Sequence, residues 1–219
     1  MSNTPTLSSQ PHRHLRISQP SPWVVRWAHL VATGGTVLDV AAGGGRHGRM
    51  FLKHGHPVTL IDRTPQPLDD LTDHANATVI TADLEDGTPW PLAPRQFDGV
   101  VVVNYLHRVL FDTLIDSLKP GGVLIYETFA RGNEAFARPR NPDHLLRSGE
   151  LLDAVRGRLQ VVGYEHGCVH NGDIDGVKQR LCAVHDLTDS TRDDGEPRAH
   201  DLIARECDSD GTMARTRST

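Results

Sequence analysis

The stretch LDVAAGGGRHGRMF, from Leu38 to Phe51, decides the fold that the sequence predicts. It joins a short apolar run, typical of a buried strand, to a glycine-rich turn and then to a helix-like run. Gly43, Gly45 and Gly48 match the spacing G-x-G-x-x-G, which lets a backbone approach a bound nucleotide closely. We therefore expect a strand–turn–helix unit that binds a nucleotide-type ligand.

Asp62 lies about 20 residues after the first of these glycines, at the end of the next predicted strand. A carboxylate at this place is suited to accept hydrogen bonds from the hydroxyl groups of a ribose. The turn and the acid together favour an adenosine-type ligand. The alternative is that the glycines only allow the helix to pack closely on the strand.

Strand-like and helix-like segments alternate on both sides of this turn. The predicted strands cover residues 36–41, 57–63, 77–84, 97–105 and 122–129. The predicted helices cover residues 22–32, 46–55, 65–75, 108–122 and 149–157. Residues 158–167 and 175–186 follow with no helix between them. This order predicts an α/β fold, a doubly wound and mostly parallel seven-stranded sheet with a C-terminal antiparallel hairpin.

The composition divides the chain into three parts. Only 37% of its 219 residues are hydrophobic and its mean hydropathy is −0.39, which is low for a chain that is folded throughout. Residues 1–20 are rich in Ser, Pro, Gln and Thr, and we expect a flexible N-terminal arm. Residues 187–219 carry much charge and little apolar periodicity, and we expect a disordered tail. The folded domain is then predicted to span residues 21–186.

Charge and cysteine content narrow the classes of function. The formal net charge of −5 and the isoelectric point of about 6.2 count against a broad basic face for nucleic acid. No apolar run approaches the roughly 18 residues of a membrane helix, and the N-terminus lacks the apolar segment of a secretory signal. Cys168, Cys182 and Cys207 have no metal-binding spacing, so we expect reduced thiols, no metal site and a cytoplasmic protein.

Features outside the turn separate two adenosine-type ligands, a dinucleotide such as NAD and S-adenosylmethionine (SAM). Asp39 lies inside the first predicted strand, where its carboxylate would repel an anionic pyrophosphate and attract the cationic amino-acid end of SAM. A helix precedes this strand, whereas many dinucleotide domains begin with the strand. Asp83, at the end of the third strand, is placed to accept from the exocyclic amine of adenine. These features favour SAM.

The sequence resembles class I SAM-dependent methyltransferases in segments that occur in order within residues 21–186. VLDVAAGGGRHG resembles the family's first motif, LIDR the acidic end of strand two, and ADLED and FDGVVVVNYLHR the third and fourth motifs. LKPGGVLIYET resembles the turn into strand five. Ala41 departs from the pattern, since the family often has its first glycine there. Residues 126–152 are similar to the small bacterial tellurite-resistance-like group.

The resemblance implies which residues hold the methionine portion and the ribose of SAM. Asp39 and the backbone of Ala41, Gly43 and Gly45 are expected to hold the methionine portion. Asp62 is expected to take both ribose hydroxyls through its two oxygens.

A second group of residues is expected at the adenine and at the amino group. Arg63 is expected to flank the adenine, or else to be a surface charge. Asp83 and the amide of Leu84 are expected to read the adenine edge, with a turn-forming Asp as the alternative. Asn104 ends strand four, where the ligand crevice forms, and is expected to contact the amino group of SAM.

The residues that follow strands four and five are expected to face the transferable methyl group. They are Tyr105, His107, Glu127 and Arg131. Methyl transfer is an in-line displacement that depends on alignment, and a base is needed only if the acceptor must lose a proton. His107 titrates near neutrality and is the candidate base, although such a histidine also commonly begins a helix. Arg131 starts an arginine-rich segment that ends at Arg147, either a solvated loop or a grip on an anionic acceptor.

These observations predict a methyltransferase that uses SAM and acts on a small molecule, such as an oxyanion. An RNA or protein acceptor is the first alternative, and the lack of a basic stripe counts against it. A non-catalytic SAM-binding module and a dinucleotide-dependent reductase are the other two. The sequence leaves the oligomeric state open.

Overall fold

The computed structural model describes residues 19–170, 175–188 and 192–204. Helices cover both faces of one sheet of seven strands. The strands are β1 (Val37–Val40), β2 (Val58–Asp62), β3 (Ala77–Thr81), β4 (Phe97–Val103), β5 (Leu118–Phe129), β6 (Gln160–His170) and β7 (Asp175–Val184). The α-helices are α1 (Pro22–Trp27), α2 (Arg46–Lys53), α3 (Phe111–Asp116) and α4 (Glu150–Val155).

The strand order of the sheet is β3-β2-β1-β4-β5-β7-β6. Strands β1 to β5 run parallel, and β7 lies antiparallel between β5 and β6. The predicted fold class and the C-terminal hairpin are therefore confirmed. The strand order reverses between β1 and β4, which pair directly although β2 and β3 separate them in the chain. In a doubly wound sheet the ligand crevice forms outside the carboxyl ends of the strands at this point.

Each face of the sheet is covered by its own apolar cluster. On one face, Trp27 near the end of α1 and Phe51 on α2 pack among the side chains of β1, β2 and β4. On the other face, Ile115 on α3 and Leu151 on α4 pack against β4, β5 and β7. Residues 100–103 of β4 are buried throughout because this strand is covered on both sides.

Two predicted helices differ from the structure. Residues 65–75 form only a 3-10 helix, Gln66–Leu71, because two prolines remove amide donors and the segment closes short bonds such as Leu68 N–H to the Pro65 carbonyl. The helix predicted over 108–122 ends at Asp116, and β5 begins at Leu118. Residues 119–122 bulge out of β5, since the pairing with β4 shifts between residues 118 and 123.

Residues 192–204, which belong to the segment predicted to be disordered, contact the domain. His200 Nε2 lies 2.7 Å from Oδ2 of the buried Asp186, and the Asp201 carbonyl lies 3.0 Å from His29 Nε2. Of the predicted arm, residues 1–20, only residues 19 and 20 are among the described residues. Residues 205–219 lie outside them. Among the described residues, no helix is both long and apolar enough to cross a membrane.

Candidate functional site

The glycine turn connects β1 to α2 at the carboxyl edge of the sheet. Three residues here have left-handed backbone conformations, Ala41 (φ 52°), Gly43 (φ 57°) and Gly45 (φ 70°). Gly45 also caps α2, and a Cβ atom on it would lie 2.7 Å from Leu68 Cδ2. Glycine adopts a left-handed conformation without strain, whereas alanine does not. Ala41 therefore carries a strain that a glycine would relieve, which is a physical reason for a glycine at this place.

Gly48 lies one turn into α2 and faces β2. A Cβ atom there would lie 2.6 Å from Leu60 Cδ2, closer than carbon atoms approach without displacement. Gly48 therefore allows α2 to pack closely on the sheet, and it is not a third phosphate-binding glycine.

Asp39 is directed at the first turn of α2. It is 1% exposed, and its Oδ2 accepts a hydrogen bond from the Gly48 N–H at 2.8 Å. Burial raises the pKa of Asp39 to about 7, and the bond from Gly48 opposes this shift only in part. This carboxyl group thus accepts from the Gly48 N–H, which has no partner within α2, and it links the end of β1 to the start of α2. Its predicted contact with the methionine portion stays a prediction.

Asp62 holds the glycine turn to the end of β2. Its Oδ2 accepts from the Gly43 N–H at 2.7 Å, and its Oδ1 accepts from the Thr64 N–H at 2.8 Å. A carboxylate oxygen has two lone pairs, so each oxygen can still accept one further hydrogen bond. The carboxylate is therefore fixed in direction and able to receive a pair of adjacent hydroxyl groups.

The residues predicted for the adenine meet at the ends of β2, β3 and β4. Asp83 Oδ1 accepts from the Glu85 N–H at 3.0 Å, the turn-forming role that was the alternative for this residue. Half-burial raises the pKa of Tyr105, and the nearby carboxylates of Glu85 and Asp83 add to the shift while Arg63 opposes it. Tyr105 therefore lies among the predicted adenine residues, and Glu85 is a neighbour that the sequence did not indicate.

Asn104 ends β4 in a left-handed conformation, with φ of 59°. Its N–H donates to the Glu127 carbonyl at 2.8 Å, and its side-chain Oδ1 accepts from Lys178 Nζ at 2.8 Å. Asparagine tolerates this conformation better than most side chains. The backbone and the side chain of Asn104 are thus both fixed at the crevice.

Glu127 is buried, contrary to the expectation that it faces the methyl group. Its carboxylate is 3% exposed, pairs with Lys178, lies 3.1 Å from Arg180 Nε, and accepts from Ser21 Oγ at 2.8 Å. Burial alone would raise the pKa of Glu127, but Lys178, Arg180 and Ser21 together hold that pKa below its ordinary value. A carboxylate engaged in this way is a structural anion, and it is not placed to act as a base.

His47 completes this group, which we call the Glu127 cluster (Ser21, His47, Glu127, Lys178 and Arg180). The Ser21 N–H donates to His47 Nε2 at 3.2 Å, so this nitrogen carries no proton. Burial, together with the charge of Arg46, lowers the pKa of His47 to about 3. The sequence indicated only Glu127, because the other members come from the start of α1, from α2 and from β7.

His107 and Arg131 lie at the ends of two neighbouring strands. His107 precedes the 3-10 turn Arg108–Leu110, and its carbonyl accepts from the Leu110 N–H at 3.0 Å, so it begins a helical turn as the alternative held. The Arg131 side chain is exposed, and its N–H donates to the Leu146 carbonyl at 2.9 Å. A catalytic role for either residue stays a prediction.

The segment after β5 is held by hydrogen bonds from Arg108, a residue that follows β4. Arg108 donates to the carboxylate of Glu150 and to the carbonyls of Asp143 and Leu145. Arg138, Arg140 and Arg147 are exposed on this segment. The arginine-rich segment is therefore held in place at its C-terminal end while its charges face solvent.

A family model described as a methyltransferase domain matches residues 37–122. This range contains β1 to β4, the glycine turn, Asp62, Asp83 and Asn104. Residues 37–122 are therefore similar to the methyltransferase-domain family, and the chain has the fold of class I SAM-dependent methyltransferases. SAM is the cofactor of this class.

The curated relatives are methyltransferases that share part of the chain. The ubiquinone biosynthesis O-methyltransferase of Actinobacillus pleuropneumoniae serotype 7 is 32% identical over 115 residues, which are 47% of this chain and 49% of that protein. The chain thus spans about half the length of the curated relatives it matches. The resemblance to the tellurite-resistance-like group stays a prediction.

Solved structures share the fold over a larger part of the chain. The 1,6-didemethyltoxoflavin-N1-methyltransferase of Burkholderia thailandensis, with bound 1,6-didemethyltoxoflavin and S-adenosylhomocysteine, has a TM-score of 0.56 and 19% identity over 75% of this chain and 76% of its own. A SAM-dependent methyltransferase of Aquifex aeolicus has a TM-score of 0.56 and 18% identity over 80% of this chain and 94% of its own. At these identities the likeness establishes the fold alone.

Proposed function

We propose that this chain transfers a methyl group from SAM to a small-molecule acceptor. The observation that carries the proposal is the fixed Asp62 carboxylate, which lies against the glycine turn and has lone pairs left for two hydroxyl groups. It lies within the residues that the methyltransferase-domain model matches, at the end of β2, one strand away from the switch point between β1 and β4. These are the features that an adenosine ligand needs.

The predicted cofactor residues fit SAM along its length. Asp62 would bind the ribose, with the turn at Ala41, Gly43 and Gly45 alongside the sulfur and methionine portion. The Leu84 amide and the Oδ2 atom of Asp83 would read the adenine edge. Arg63 and Tyr105 would flank the ring, because Tyr105 is close to both Asp83 and Arg63.

The reaction needs alignment more than acid–base chemistry. SAM, when bound, supplies a methyl group on a sulfonium, which departs as a neutral thioether. The chain's residues then bind both partners in line and exclude water, and this can supply much of the rate enhancement. A base is needed only for an acceptor that loses a proton, and His107 is the candidate for that step.

The acceptor that we propose is small and anionic. The exposed guanidinium groups of Arg131, Arg138 and Arg140 follow β5, next to the end of β4, and their planar forks suit carboxylate or other oxyanion groups. The ubiquinone and toxoflavin methyltransferases act on small organic molecules according to their names, which supports a small acceptor. The net charge of −5 counts against nucleic acid.

Transfer of a labelled methyl group tests the proposal. The purified chain is incubated with tritiated SAM and separate metabolite, RNA and protein fractions of a bacterial extract. We expect label in the metabolite fraction, loss of that label in Asp62→Ala, and full label in the matched surface variant Asp73→Ala. Label only in RNA or protein would contradict the acceptor class, and no label in any fraction would contradict methyl transfer.

A further inference from the structure

Lys178 places a buried ammonium beside the proposed cofactor site. It lies on β7, is 2% exposed, and reaches across β5 to the end of β4. Its Nζ pairs with the Glu127 carboxylate, donates to Asn104 Oδ1 at 2.8 Å and lies 5.0 Å from the centre of the Phe129 ring. Burial of an ammonium is costly unless it is paired and hydrogen-bonded, and both conditions are met here.

The contact with Lys178 fixes which atom of the Asn104 amide faces the crevice. An ammonium only donates hydrogen bonds, so the amide atom turned toward it must be the oxygen. The backbone of Asn104 is also held, since its N–H donates to the Glu127 carbonyl. Among the described residues, no protein acceptor contacts Asn104 Nδ2. The group that remains for a ligand is therefore this N–H donor.

The contact between Lys178 and Asn104 favours an anionic ligand at this amide. Lys178 and Arg180 both contact the single carboxylate of Glu127, and the charge of Arg46 also acts on Lys178. Arg180 also lies 3.2 Å from Glu165, so Lys178 is the cation that acts directly on Asn104. A ligand ammonium at Asn104 would meet an oxygen already bound to a cation, whereas a ligand carboxylate would meet the Nδ2 donor.

We propose that Lys178 is a positioning residue that turns the Asn104 amide so that its Nδ2 donates to the carboxylate of the methionine portion of SAM. The end of β4 pairs with the end of β1, so Asn104 lies beside the glycine turn where that portion is proposed to bind. This inference rests on the proposed function. The sequence predicted that Asn104 contacts the amino group of SAM, and this inference assigns it to the carboxylate instead.

The test compares two ligands by calorimetry on the full chain. S-adenosylhomocysteine carries the carboxylate, and its decarboxylated analogue keeps the amine and lacks only that group. We expect the protein to prefer S-adenosylhomocysteine, and Asn104→Ala to reduce this preference roughly tenfold or more, as for a hydrogen bond to a charged group. We expect the same reduction when Lys178→Met is combined with Glu127→Gln, a pair of changes that removes both charges together and leaves Arg180 paired with Glu165.

Further variants separate positioning from a general structural role. Lys178→Arg keeps the positive charge and is expected to keep the preference, while Asn104→Asp, which lacks the donor, is expected to lose it even if the Lys178 variants do not fold. Lys119→Met with Asp98→Asn removes a more exposed lysine–carboxylate pair near the start of β1 and β4, and we expect no change in preference.

The outcomes distinguish this inference from the proposed function. If the unaltered protein binds neither ligand, SAM binding itself is contradicted. If the unaltered protein binds both and the Asn104 and Lys178 variants weaken both equally or not at all, the positioning role is overturned.

Discussion

Asp39→Asn is expected to stabilise the protein at alkaline pH. Burial raises the pKa of Asp39 from 3.8 to about 7, which means that the folded chain disfavours the charged form. At about 1.4 kcal/mol per pH unit, this shift corresponds to about 4 kcal/mol of unfolding free energy. Asparagine has nearly the same shape and can still accept the hydrogen bond from the Gly48 N–H, but it has no charge to bury.

The pH window follows from the direction of the shift. Between about pH 4 and pH 7 the unfolded chain has released the Asp39 proton while the folded chain retains it. The folded state therefore binds more protons, and the contribution of Asp39 to stability falls as the pH rises through this window. Above about pH 7 both states are ionised and the whole cost is present. The advantage of Asp39→Asn should thus grow by about 4 kcal/mol from pH 4 to pH 8.

Urea unfolding followed by tryptophan fluorescence measures this advantage. The difference in unfolding free energy between the variant and the unaltered protein is determined at several pH values, so that other titrating groups cancel. Asp98→Asn is the matched control with the opposite sign, because Lys119 and Thr36 outweigh burial and hold the pKa of Asp98 below its ordinary value. Parallel curves for Asp39→Asn and the unaltered protein over the whole range would refute the reasoning.

Three other changes probe the support of the site. The lowered pKa of His47 costs the folded chain about 2–3 kcal/mol at pH 4.5, a cost that grows as the pH falls below 6.5. His47→Gln should remove this loss of stability in the same urea experiment. Gly48→Val should lower the unfolding free energy by about 1–3 kcal/mol in urea unfolding, because the new side chain meets Leu60. Arg108→Ala should speed hydrogen exchange over residues 130–149 by freeing Glu150, and unchanged exchange would contradict the bracing role.

The sequence carried enough information for the fold and for one side of the site. The glycine turn and the acid at the end of β2 are local patterns at a fixed spacing, and the structure brings Gly43 and Asp62 into contact at 2.7 Å. The strands could also be predicted, since apolar runs between turn residues mark them in any context. Helix ends were harder, because Pro67 and the bulge after Leu118 act through geometry that composition does not reveal.

The other side of the site could not be predicted in this way. Lys178 and Arg180 are charged residues in a strand, and nothing nearby in the sequence indicates that Lys178 is buried or that both contact Glu127. For the same reason, the sequence predicted that their partner Glu127 faces the methyl group, without an ion pair. Only the pairing of β5 with β7 brings the three together, and that pairing depends on the whole sheet.

The central claim is that the turn after β1 binds SAM and not a dinucleotide. Calorimetric titration with S-adenosylhomocysteine and, separately, with NADH tests it most directly. We predict saturable binding of S-adenosylhomocysteine, a loss of about tenfold or more in affinity for Asp62→Ala, and no binding of NADH. Binding of NADH, or no binding of S-adenosylhomocysteine at high micromolar concentration, would contradict the claim.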